Sequence, residues 1–162
     1  MDFYMKLPRN KNEFALFLAV ISIISVNIIA PLITFFERDF TFKTWLSVLK
    51  VIPFIWISVI CLVLLTHKFA DFLTKRIVNK SDSFNAHIIV NTLCSVFIMS
   101  LFLTVIGSWI GTKSISIEPI KMFFHKWPRN FTISFFVELI IAQPFARLIM
   151  LKIHLFQDQK CK

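Results

Sequence analysis

Residues 128–152, PRNFTISFFVELIIAQPFARLIMLK, decide the fold class of this chain. From residue 130 to residue 146 the only ionisable side chain is Glu138, and the segment is long and apolar enough for a helix that crosses a bilayer. A charge near the bilayer centre costs about 2.5–3.5 kcal/mol on insertion scales, so such residues usually face a helix bundle or a water-filled cavity. The segment therefore predicts a membrane helix that turns an acidic group towards protein.

The composition of the whole chain also indicates a membrane protein. Hydrophobic residues make up 57% of the 162 residues, above the roughly 45–50% of an ordinary soluble domain. The net charge of +9 comes without any nucleic-acid-binding motif, so we expect no nucleic acid as a partner. Anionic lipid headgroups at the basic loops are the expected counter-charge.

Four apolar runs predict four transmembrane helices, at about residues 14–36, 46–67, 87–111 and 130–151. The predicted fold is an all-α integral membrane protein. Eleven Lys and Arg residues fall on the side of the two chain ends and seven on the other side. By the positive-inside rule, this predicts a multi-pass protein of the cytoplasmic membrane with both termini in the cytoplasm.

A shift of 76 residues lays one half of the chain on the other. Phe69 and Ala70 then coincide with Phe145 and Ala146, and Lys50 coincides with Lys126. The shift predicts two tandem two-helix repeats in the same orientation, over residues 1–80 and 81–162. Lys50 and Lys126 are interpreted as equivalent lipid anchors at the interface.

The motif PRNFTISFFVELIIAQPFARLIM, residues 128–150, resembles the second-helix motif of the domain of unknown function 2798 family, PxNFxxAxxxELxIAxPxxR. The first half resembles it through PRNKNEF at residues 8–14 and the segment Ser25-Val26-Asn27, although LTHKFADFL at residues 65–73 departs from the pattern. The resemblance implies a small bacterial membrane protein of two-helix units, here in tandem, and it implies no activity.

Glu138 is the leading candidate for a functional residue. Asn27 on the first helix is predicted at a similar depth, where its amide would donate to the carboxyl group, and Ser134 lies one turn before Glu138 on the same face. Desolvation would favour the neutral acid. Three roles remain open: a hydrogen-bonding residue that sets the register of the bundle, a proton- or cation-coupling site, and a contact for a partner helix.

The other candidates surround this residue or lie on the third helix. Gln143 and Pro144 predict a kink, while Arg147 is expected to extend towards lipid phosphates or to pair with another helix. Gly107 and Gly111 form a GxxxG pair that predicts close helix packing. Histidines and cysteines lack metal-ligand spacing, so we expect neither a metal nor another cofactor.

Two functions fit these residues, and neither is enzymatic, because no nucleophile–base pair and no phosphate-binding loop is present. One is transport of a small solute or a cation, coupled to protonation of the intramembrane Glu138. The other is a non-transporting component of immunity, envelope-stress or assembly type that binds another membrane protein. A homodimer or a membrane-protein partner is expected in either case.

Overall fold

A computed structural model describes residues 8–37, 41–79 and 82–160, and all of the regular structure in these ranges is helical. The helices are α1 (Lys11–Glu37), α2 (Phe42–Ile77), α3 (Phe84–Thr112), α4 (Glu118–Lys121), α5 (Phe123–Val137) and α6 (Gln143–Lys160). A π-helical turn, Glu138–Ala142, joins α5 to α6.

The prediction of four membrane helices is confirmed at the level of length and composition. Four helical segments are long and apolar enough to cross a membrane: Lys11–Glu37, Phe42–Ile77, Asn85–Thr112 and Phe123–Asp158. The last of these, which contains α5, the π turn and α6, is called the fourth span below.

All four spans are longer than predicted, because polar residues continue each helix beyond its apolar run. The helix α2 extends to Ile77, well beyond the predicted end at residue 67, and Lys75 and Arg76 lie in its last turn. Basic side chains interact favourably with the negative end of the helix dipole there. The helix ends where Val78 adopts an extended conformation.

The four spans form an antiparallel bundle. The helix α2 packs against α1 and α3, and the fourth span packs against the same two helices. Within the ranges that the structure describes, the two diagonal pairs, α1 with α3 and α2 with the fourth span, make no contact. Each span therefore has two neighbours and an outer face that is left for lipid or for another chain.

One row of side chains on α1 packs against one row of side chains on the fourth span. Phe17 and Ile21 lie one turn apart on α1 and form a buried cluster with Ala142, Ala146 and Met150. The alanines are almost completely buried, so the backbones of the two spans approach closely. This packing determines which face of α1 points at the π turn.

The ends of the bundle are joined by ion pairs. At the end that holds the first and the last described residues, called the terminal end below, Glu13 Oε2 lies 3.1 Å from Nε2 of the fully buried His154. At the opposite end, Glu37 Oε1 lies 3.0 Å from an Arg129 nitrogen and 3.1 Å from Lys126 Nζ. The interpretation of Lys126 as a lipid anchor is therefore wrong, because its ammonium group pairs with a carboxylate of α1.

The two described chain ends also meet directly, because Arg9 Nη1 lies 3.6 Å from Asp158 Oδ1. Which side of a membrane this end faces stays a prediction. Four of the basic residues that were counted for orientation lie outside the described residues: Lys6, Arg38, Lys80 and Lys162.

Candidate functional site

Glu138 opens the π turn of the fourth span. The N–H of Gln143 donates to the Glu138 carbonyl, five residues back instead of the four of an α-helix. Pro144 gives a physical reason, because a proline ring clashes with the carbonyl four residues before it and has no N–H to donate. A π turn widens the helix at this point, and such turns occur frequently at functional sites.

In the part of the chain that the structure describes, one side chain from another helix is hydrogen-bonded to the Glu138 carboxyl group. Ser25 Oγ donates a 2.8 Å hydrogen bond to Glu138 Oε2. Ser25 is buried on α1, one turn beyond Ile21 in the row that packs on the fourth span, and Glu138 is half-buried. The carboxyl group therefore lies between two spans, with part of its surface still accessible.

The predicted partners of Glu138 do not contact it with their side chains. Asn27 is exposed, and its Nδ2 donates 2.8 Å to the carbonyl of Ile23 on its own helix. The predicted pairing of Asn27 with Glu138 is therefore wrong, because the packing of α1 places Ser25 on the inner face and Asn27 on the outer face. Ser134 contributes only its backbone carbonyl, which accepts from the Glu138 N–H.

Gln143 and Arg147 contact each other one turn further along the fourth span. Arg147 Nη2 donates 3.3 Å to Gln143 Oε1, and Arg147 Nε is buried without a hydrogen-bond partner in the described part of the chain. Arg147 was expected to reach lipid phosphates or another helix, and instead it bonds within its own helix.

Both residues line a cavity of about 410 Å³ at the end of the bundle that holds the chain termini. The cavity lies among all four spans, and eight of its ten lining residues have polar or charged side chains. Its ionisable residues are Asp71, Lys75, His87 and Arg147. The cavity could not be predicted from the sequence, since its residues are scattered over four spans and share no motif.

The polar residues of α2 and α3 in this cavity are already connected to one another. Asn91 Nδ2 donates 2.9 Å to Asp71 Oδ1 and 3.2 Å to Thr74 Oγ1. His67 Nδ1 lies 3.7 Å from the other Asp71 oxygen, and His87 Nε2 lies 3.0 Å from the carbonyl of Asn79. Asp71 therefore has a hydrogen-bond partner on α3 and a neighbouring histidine on α2.

An apolar layer separates this cavity from Glu138. Phe17 lines the cavity, and Ser25 binds Glu138 two turns further along the same face of α1. Ile21 lies between them and is buried against Ala142. A solute in the cavity would have to displace this layer to reach the carboxyl group.

The predicted GxxxG packing is not used within this chain. A methyl group built on Gly107 or on Gly111 would meet nothing within 4 Å. No helix among the described residues therefore approaches these glycines closely. Whether another chain does so stays a prediction.

The remaining site prediction concerns metals. Among the residues that the structure describes, no group of three or more His, Cys, Asp or Glu side chains could hold a metal ion.

These features define the class of the protein: a helical protein with four candidate membrane spans and a carboxyl group between two of them. Residues 84–154 match the model of the family described as "Domain of unknown function (DUF2798)", which confirms the resemblance for the second half of the chain. The match includes Glu138, Gln143 and Arg147 and does not extend to residues 1–83. No curated protein and no solved structure is significantly similar to the chain.

Proposed function

We propose that this protein transports a small solute or a cation across the bacterial cytoplasmic membrane and uses Glu138 as a proton-exchanging group. The observation that carries the proposal is the position of this carboxyl group. It lies inside the fourth span at a π turn, and its one side-chain hydrogen-bond partner among the described residues is the neutral Ser25 hydroxyl. Ionisable residues inside membrane spans often serve as proton relays.

The surroundings of Glu138 support this role. No basic side chain is bonded to its carboxyl group in the described residues, so nothing there neutralises the charged form. A neutral acid needs no counter-ion in a membrane, whereas its charged form does. A proton and a cationic group can therefore replace each other at this carboxyl group. Such an exchange would couple transport of the cationic group to movement of the proton.

The proposal includes an orientation and a repeat architecture. Both termini would lie in the cytoplasm, so that the cavity with Arg147 would open on that side. Two tandem two-helix repeats are supported by the offset of 76 residues, under which Ala70 and Ala146 coincide and both are buried. Four spans enclose little volume, so a dimer is the expected working unit. The proposed activity is not enzymatic.

Proton exchange on ligand binding tests this function. The purified protein, in weakly buffered detergent solution with a pH indicator, would be titrated with tetraphenylphosphonium, methylammonium, sodium acetate and sodium phosphate. We expect a probe to change the proton content by up to about one proton per chain, and we expect Glu138→Gln to abolish the change. The matched control is Glu118→Gln, because Glu118 is exposed and lies in α4, outside the spans. Unchanged exchange in Glu138→Gln would refute the proposal.

A second candidate function is a non-transporting component that binds another membrane protein. The open surface at Gly107 and Gly111 favours it, because small residues spaced four apart allow a helix of another chain to approach closely. This function predicts that Gly107→Leu prevents complex formation and that Glu138→Gln has no effect. Complexes that survive Gly107→Leu in co-purification would count against this interface.

A further inference from the structure

We infer that the cavity at the terminal end of the bundle binds an oxyanion, a carboxylate or a phosphate, through Arg147. The inference deepens the small-solute case of the transport proposal, as distinct from its cation case, because it names the class of solute. It rests on that proposal for what happens to the solute after binding. Binding itself can be measured separately.

The first argument is the charge of the lining. Two cationic side chains, Lys75 and Arg147, face one carboxylate, Asp71. The carboxylate already accepts a hydrogen bond from Asn91 and has His67 beside it. The negative charge of Asp71 therefore already has partners, and the cavity keeps an excess of positive charge from Lys75 and Arg147.

The second argument is an unused donor. Arg147 Nε is buried and has no hydrogen-bond partner in the described chain, while one of the terminal nitrogens donates to Gln143. Buried polar groups are almost always hydrogen-bonded, and an exception at a cavity needs a reason. A guanidinium group binds carboxylate and phosphate oxygens through two parallel N–H donors, so Nε and a neighbouring nitrogen match such a ligand.

The third argument is size and additional donors. A cavity of about 410 Å³ lies within the range of small-molecule sites, about 300–1,000 Å³. The Thr92 hydroxyl and the Lys75 ammonium group also line it and can donate to oxygens on the far side of a ligand. Lys75 is exposed at the end of α2, so an anion would meet it first and Arg147 afterwards.

An oxyanion could come from a soluble solute or from the headgroup of an anionic lipid, and the experiment separates the two sources. In detergent, the thermal midpoint would be followed against sodium phosphate and sodium acetate, with sodium chloride at matched ionic strength as reference and methylammonium chloride as the cationic probe. In nanodiscs, phosphatidylglycerol would be compared with phosphatidylcholine by counting retained lipids with native mass spectrometry.

We expect phosphate or acetate to raise the midpoint beyond the chloride reference. Arg147→Gln should need at least about tenfold more anion for the same rise, because it removes a charged hydrogen-bond donor, and tenfold in affinity corresponds to about 1.4 kcal/mol. Lys75→Gln should weaken binding by a few-fold, and it is the variant to use if Arg147→Gln does not fold. Lys152→Gln is the matched control, because Lys152 is exposed on the same helix and does not line the cavity.

Retention of phosphatidylglycerol that depends on Arg147, without any effect of soluble anions, would identify the oxyanion as a lipid headgroup. The inference would be overturned if anions raised the midpoint of Arg147→Gln and of Lys75→Gln as much as that of the wild type. It would also be overturned if methylammonium alone stabilised the protein. Failure of the transport proposal gives a different result: anion binding persists and depends on Arg147, but proton exchange is unchanged in Glu138→Gln.

Discussion

Ser25 on the first span donates a 2.8 Å hydrogen bond to Glu138 at the π turn of the fourth span, and these two residues lie 113 positions apart in the sequence. The bond joins a buried hydroxyl group to the carboxyl group on which the proposed function depends. It also reports the rotation of α1 about its axis, because Ser25 follows Phe17 and Ile21 on one face of the helix. Loss of this contact should affect both stability and proton exchange.

Ser25→Ala should lower the free energy of unfolding by about 0.5–1.5 kcal/mol, because hydrogen bonds between membrane helices average about 0.6 kcal/mol and reach about 1.7 kcal/mol. Unfolding in mixed detergent micelles measures this loss. If the loss of stability comes from the hydrogen bond to Glu138, Ser25→Ala should cost less free energy of unfolding in a protein that already carries Glu138→Gln. Ser22→Ala is the matched control, since Ser22 is buried on the same helix and is not bonded to Glu138. Equal losses in both serine variants would show that the bond contributes nothing specific.

Glu37→Gln should destabilise the bundle by about 1 kcal/mol, because it leaves both Arg129 and Lys126 without their carboxylate partner. The loss should become smaller as salt is added, since ions screen charges at an interface. Glu118→Gln removes a charge from the same end of the bundle, where Glu118 is exposed. A loss in Glu37→Gln that does not change with salt would contradict an electrostatic origin.

Gly107→Ala should raise the free energy of unfolding by up to about 1 kcal/mol, because alanine favours a helix over glycine and the new methyl group meets nothing within 4 Å. Gly111→Ala should act in the same direction. Thermal unfolding of the dilute protein measures both variants. A destabilised Gly107→Ala would reveal a close neighbour at this face, which a second chain would have to provide.

Reporter fusions at the two ends of the chain should give the same signal, because Arg9 and Asp158 lie 3.6 Å apart at one end of the bundle. With cytoplasmic termini, green fluorescent protein should be fluorescent at either end and alkaline phosphatase inactive. Active phosphatase at both ends would reverse the proposed orientation and leave the bundle intact. Opposite signals at the two ends would contradict the antiparallel arrangement itself.

Part of the site could be predicted because its signal is local. Glu138 is the only ionisable residue in a long apolar run, and Pro144 lies next to Gln143, so an intramembrane acid beside a helix distortion follows from neighbouring residues alone. The form of the distortion, a π turn that begins at Glu138, was not predicted, because a proline can also produce a simple kink.

The sequence by itself determined the number of membrane-length helices, since the length of an apolar run decides whether it can cross a bilayer. The rotation of each helix was decided only by the tertiary structure. The small residues Ala142 and Ala146 bring the spans together along the row of Phe17 and Ile21, so Ser25 meets Glu138 and Asn27 turns outward. Successive residues of a helix point in directions that differ by about 100°. A prediction of the depth of a residue in the membrane, without the rotation of the helix, therefore cannot tell which residue faces Glu138. The contact of Lys126 with Glu37 was likewise decided by the fold, which brings α1 and α5 together.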